Sequence, residues 1–88
     1  MPTKSTKTKL DFFFHVTDTF GNELNYCWLH RYKIKSKSIK GALIKLSKYT
    51  GLNFKNNGVY YKAKHACIAA YLVDYEIHES EYSKYKEI

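Results

Sequence analysis

Apolar and polar residues alternate from Leu10 onward. Leu10, Phe12, Phe14 and Val16 would share one strand face, with Asp11, Phe13, His15 and Thr17 on the other. The turn-forming stretch from Asp18 to Asn22, which contains Gly21, then reverses the chain. A second alternating run begins at Leu24. Its even positions, Leu24, Tyr26, Trp28, His30, Tyr32 and Ile34, are expected to point inward, and its odd positions, Asn25, Cys27, Leu29, Arg31, Lys33 and Lys35, outward. At Ser38 the period changes to that of a helix. Ser38 is placed to cap it, Ile39, Ala42, Leu43, Leu46 and Tyr49 fall on one side, and Gly51 is placed to end it before Leu52 folds back. Lys40, Lys45 and Lys48 lie on the opposite side, with Ile44 among them.

After the helix, Asn57-Gly58 predicts a tight hairpin between the stretch at Asn53 to Lys55 and the run from Val59 to Ala63. Cys67, Ala69, Tyr71, Val73, Tyr75 and Ile77 then keep a period of two, although the alanines and Leu72 would also suit a helix; the reading is strand. The expected fold class is α+β: a small antiparallel sheet of four to five strands in ββαββ order, with one helix on one face and an additional C-terminal strand as the variant. Residues 1–9, with Lys4, Lys7 and Lys9 among Ser, Thr and Pro, have no apolar partner to bury and are expected to be a mobile basic arm. Residues 10–77 form the single domain, and residues 78–88 a polar, acidic tail.

Composition supports one domain. Eighty-eight residues, 44% of them hydrophobic and 17% aromatic, suffice for one small core. No apolar run reaches the ~18 residues of a membrane span, and the N-terminal stretch lacks the hydrophobic segment of a signal peptide, so the expectation is a cytosolic protein without membrane contact. Cys27 and Cys67 sit in apolar runs, where reduced, buried thiols are expected.

Charge changes the picture most. The formal net charge is +7, and no carboxylate occurs from Leu24 to Val73, a segment holding Arg31, Lys33, Lys35, Lys37, Lys40, Lys45, Lys48, Lys55, Lys62 and Lys64. From Asp74 the balance reverses through Glu76, Glu79, Glu81 and Glu87. A basic body of this kind attracts polyanions, of which nucleic acid is the commonest in cells.

Cys27, His30, His65 and Cys67 are the candidates for a metal site. Zinc needs four ligands converging on one point, usually in pairs held by tight turns. Cys27 and His30, three positions apart on a strand, point to opposite faces, and His65-x-Cys67 is not a common half-site, so no metal and no cofactor are expected. No glycine-rich phosphate loop, nucleophile with its base, or paired carboxylates in a cleft-forming context is legible, which argues against an enzyme.

A binding surface is more strongly indicated. Phe13 and His15 from the first strand and Arg31, Lys33 and Lys35 from the second are expected on the sheet face away from the helix, joined by Tyr60, Lys62 and Lys64. Lys37, Lys40, Lys45 and Lys48 extend the basic surface onto the helix. Aromatic rings stack on unpaired bases and cations contact phosphates, so such a face suits RNA or single-stranded DNA. The stretch Asp11-Phe12-Phe13-Phe14-His15-Val16 resembles the second nucleic-acid motif of cold-shock domains, which implies base contacts by Phe13 and His15. The resemblance is local. The glycine-and-aromatic first motif is absent and a central helix is at odds with a five-stranded barrel, so no family is assigned. The alternative expectation is a mobile-element blocking protein of anti-CRISPR type, which would dock on a nucleic-acid-handling effector such as a CRISPR nuclease.

Overall fold

A computed structural model describes residues 10–21, 23–58, 60–73 and 75–88. The expected basic arm, residues 1–9, lies outside the described residues. The first two strands, β1 (Leu10–Phe20) and β2 (Glu23–Ser36), form a long antiparallel hairpin that pairs Phe12 with Ile34, Phe14 with Tyr32 and Val16 with His30. The register shifts between Thr17 and Thr19, and Tyr26 nearby takes a left-handed φ of 59°, the local signature of a bulge. The helix α1 (Ile39–Thr50) follows. Its cap is as the sequence indicates: Gly41 N–H donates to Ser38 Oγ at 3.1 Å, and Gly51 ends it at φ 75°, a conformation that favours glycine.

The strands β3 (Phe54–Asn56) and β4 (Tyr61–Ala63) make the Asn57-Gly58 hairpin, and β5 (Ile68–Leu72) runs antiparallel to both β4 and β1. A 3-10 turn over Glu79–Lys84 leads to β6 (Lys86–Glu87), which pairs in parallel with β2 at Tyr32 and Lys33. The sheet order is β3-β4-β5-β1-β2-β6. The architecture is thus a small α+β fold with a six-stranded mixed sheet, which replaces the expected four to five antiparallel strands because the C-terminal tail joins the sheet edge.

Central placement explains β1. Phe14, His15, Val16 and Thr17 are all buried in succession, as a strand covered on both faces must be. On one face Phe14, Val16, Tyr32, Ile34 and Ala70 pack with Ala42 and Leu46 of α1 and with Phe54 and Ala63. Phe14, Ile34 and Leu46 are fully buried, each worth about 1.5–3 kcal/mol of transfer free energy. The other face is covered by the tail. Phe13 packs against Tyr82 and Tyr85 at ring-centroid distances of 5.3 and 5.1 Å, and Lys33 reaches both the Tyr82 ring and the Glu87 carboxylate. The tail, polar by its sequence, is therefore a packed third layer.

Candidate nucleic-acid interface

Strand alternation puts Phe13 and His15 on the face opposite the helix, and the structure keeps them there. Their exposure does not survive. His15 is 7% exposed, its Nδ1 lying 3.0 Å from the Tyr71 hydroxyl and its Nε2 2.7 Å from that of Tyr85. Base contacts by these two rings, as the cold-shock resemblance implied, would require the tail to leave. Burial, then the neighbouring Arg31 guanidinium, lowers the His15 pKa below its ordinary value. Burial likewise raises the Tyr85 and Tyr71 hydroxyls, and a hydrogen bond with Tyr26 adds to the shift at Tyr71.

The basic side chains of that face are dispersed. Lys33 is largely buried beneath the tail, Lys35 pairs with Asp11 at 3.7 Å, and Lys62 donates to the Ala66 carbonyl at 3.1 Å. Lys64 is exposed. Tyr60, expected on the outward surface, is buried: the turn folds it inward as its N–H donates to Asn57 Oδ1. Arg31 remains exposed beside His15, and its side chain makes no ion pair or hydrogen bond with the described residues.

On the helix-bearing face the outcome reverses. Trp28 and His30 were expected inside, but β2 outruns the twelve-residue helix that would have covered them. Trp28 is 37% exposed and forms a row of rings along the strand: Trp28 to His30 at 5.1 Å, His30 to Tyr32 at 6.3 Å with planes 11° apart, and Tyr32 to Tyr49 of α1 at 5.6 Å. Same-face residues on a strand repeat about every 6.6 Å, which sets this spacing. Tyr49, expected in the core, is half exposed, with Lys86 Nζ 5.8 Å from its ring centre. Burial beside Tyr49 raises the Tyr32 hydroxyl pKa.

Lysines gather at the Tyr49 end of this row. Lys45, Lys48, Tyr49 and Lys86 line a hollow of about 470 Å³ at the helix C-terminal end, together with Ile88 and Glu87, whose carboxylate pairs with Lys33. Lys40 and Lys48 line a groove of about 350 Å³ between α1 and the start of β3. Lys37, Lys40 and Lys48 are exposed, whereas Lys45 donates to the Lys35 carbonyl at 2.7 Å. The helix lysines thus meet the row at its Tyr49 end, where Lys86 also reaches the ring, and Trp28 and His30 continue the row away from them. Alternation with Tyr32 is the sequence signal for Trp28 and His30, and alone it assigns them to the core. Only the shortness of the helix beside the strand leaves them outside it.

The metal candidates do not assemble. Cys27 and Cys67, expected buried, are both exposed: Cys27 follows the bulge and receives a 3.0 Å contact from Asn25 Nδ2, and Cys67 lies in the loop before β5. His30 stands in the aromatic row, and His65 adopts φ 60° in an exposed turn. Among the described residues no three His, Cys, Asp or Glu side chains group as ligands. Nor is any helix there long and apolar enough to cross a membrane.

Comparison with protein families, with curated proteins and with solved structures returned no match to the chain.

Proposed function

We propose that this chain is a non-enzymatic, cytosolic binding module for RNA or single-stranded DNA. The observation that carries this reading is the row of rings that runs from exposed Trp28 and His30 through Tyr32 to Tyr49 and ends among Lys45, Lys48 and Lys86. Stacking on aromatic rings needs bases that are not paired, and lysines beside the rings would meet the phosphates that follow each base. A net charge of +7 brings a polyanion to this surface at long range.

Trp28 is the only tryptophan in the chain, so its fluorescence reports on the proposed surface directly. Titration with a short oligouridylate or oligothymidylate at low salt should quench that emission in a saturable manner and weaken steeply with added salt. Trp28→Phe should retain binding seen by another probe, and Trp28→Ala should lose about 1–3 kcal/mol of it. A titration that shows no saturable binding at low salt removes the nucleic-acid reading. The alternative, docking on a nucleic-acid-handling protein such as a CRISPR nuclease, is favoured by one feature. Ile88 N–H donates to the Lys33 carbonyl while the Trp28 carbonyl is turned toward β1, so alternation leaves the backbone of Leu29 and Arg31 on the strand edge that β6 does not reach. An added strand from a protein could pair there.

A further inference from the structure

A second place on the molecule combines exposed aromatic rings with a cation that has no ion-pair partner among the described residues. Beyond the two residue pairs that join β4 to β5, the hairpin tip and the end of β5 separate into a cleft of about 450 Å³. Tyr26, Tyr61, Tyr71 and Tyr75 wall it, and Asn56 lies among them. None of the described lining residues is charged. Tyr26 and Tyr75 are 53% and 64% exposed, large rings left unburied by the fold around them. Asn56 has its oxygen engaged by the Gly58 N–H at 2.6 Å, which leaves its amide N–H groups to meet an acceptor.

Tyr75 also lines an adjoining hollow of about 350 Å³ that holds Arg31. The two spaces are joined through side chains as well, since Tyr71 contacts His15 and His15 lines the Arg31 hollow. The hollow carries Lys84, already paired with Glu81 at 3.1 Å, and the carboxylate of Glu76. Arg31 and Lys84 are matched by Glu76 and Glu81, so the formal charges of its described lining cancel and any attraction for an anion rests on direct contact with the Arg31 guanidinium, whose planar fork matches phosphate oxygens.

We infer that the tyrosine cleft and the adjoining Arg31 together bind a nucleoside monophosphate unit, with the planar base among Tyr26, Tyr71 and Tyr75 and the phosphate on Arg31. Described walls that carry no charge suit the neutral ring, an amide donor suits the acceptors on a base edge, and a guanidinium without an ion pair among the described residues suits a single anionic group. The unit can be a free nucleotide or one nucleotide of a strand. The site lies apart from the Trp28 row and does not depend on the function proposed for that row.

The test uses the intact chain and nuclear magnetic resonance titration with adenosine monophosphate, adenosine, phenyl phosphate and inorganic phosphate. Adenosine monophosphate is expected to saturate the cleft, adenosine to bind about tenfold more weakly, and inorganic phosphate weaker still. Arg31→Gln should abolish the difference between adenosine and its monophosphate, and Tyr75→Ala should weaken both about tenfold. Both side chains are exposed, so circular dichroism should be unchanged; Tyr75→Phe, which keeps the ring, should bind as wild type. A ten-nucleotide oligothymidylate is the second arm. Sensitivity of its binding to Arg31→Gln and Tyr75→Ala identifies a strand nucleotide as occupant, and sensitivity of adenosine monophosphate alone identifies the free nucleotide. Phenyl phosphate or inorganic phosphate binding as tightly as adenosine monophosphate would overturn the assignment, as would both variants leaving every ligand unaffected. Lys48→Glu with Lys86→Glu touches the other surface, so its effect on the oligonucleotide separates failure of that interface from failure of this site.

Discussion

His15 shows at the residue scale that knowing a side chain's face does not fix its exposure. Strand alternation puts it opposite the helix, but its two ring nitrogens are both engaged by tyrosine hydroxyls. A neutral imidazole donates from one nitrogen and accepts at the other, so one phenol donates to the ring and the other accepts from it. Protonation turns both nitrogens into donors beside Arg31, and the groups lining the adjoining hollow are Tyr75, Glu76, His78, Glu81, Lys84 and Tyr85. With the folded pKa below the ordinary 6.5, the unfolded chain binds more protons between those two values. This contribution to stability is therefore complete above about pH 6.5 and is lost as pH falls through the folded value. Urea midpoints should drop between pH 7.5 and 5, and His15→Gln should flatten that drop while lowering stability at pH 7.5. Asp18, whose pKa is lowered chiefly by the Asn25 amide, titrates below 3.8 and leaves this window clear. An unchanged pH profile in His15→Gln would show that protonation of this ring does not govern the transition. Tyr85→Phe, which removes only the hydroxyl at Nε2, should cost about 1 kcal/mol at neutral pH.

At the scale of elements, the helix and the tail contrast. The helix was legible because its signals are local: a serine whose oxygen reaches an N–H three residues on, apolar residues at helical spacing, and a glycine where the backbone turns left-handed. Ser38→Ala should cost about 1 kcal/mol in thermal or urea unfolding, and the same substitution should leave the tail's packing intact. The tail was illegible because its sequence, HESEYSKYKEI, has no alternation to mark a buried face. Its contribution comes from Tyr82, Tyr85 and Ile88, which meet Phe13, His15 and the edge of β2 far away in sequence. Deleting residues 78–88 should lower unfolding free energy on the order of 3 kcal/mol or more and raise binding of a hydrophobic dye as Phe13 becomes exposed. A deletion variant as stable as the full chain would show the tail to be a solvated appendage.

Charge belongs to the whole molecule. Three ion pairs join described residues, of which Lys33–Glu87 and Lys35–Asp11 neutralise part of the face expected from sequence to bind, leaving the helix-side lysines the less compensated. Lys48→Glu with Lys86→Glu should reduce oligonucleotide affinity and lower the salt slope by about 0.7 for each single-strand phosphate that the protein no longer neutralises. Folding should change little, as exposed substitutions usually cost within about 0.5 kcal/mol. Lys33→Glu differs: it places a carboxylate against Glu87 and removes the cation from the Tyr82 ring, so its effect should appear in stability. Equal oligonucleotide affinity and salt slope in Lys48→Glu/Lys86→Glu and wild type would exclude the helix-side interface.

By itself the sequence determined what depends on neighbouring residues. The period of two assigned Phe12, Phe14, Val16, Tyr32 and Ile34 to one face, Ser38 and Gly51 bounded the helix, and Asn57-Gly58 reversed the chain, because strand pleat, capping and turn geometry are properties of a few adjacent peptide units. Tertiary structure alone decided which faces stay open. Whether Trp28 is covered depends on how far a helix of fixed length reaches along a longer strand, and whether Phe13 and His15 are covered depends on a contact such as His15 with Tyr85, seventy positions apart. The alternating pattern records that a face is apolar. It does not record which distant segment arrives to bury it, since that choice is made by the combined packing of the chain.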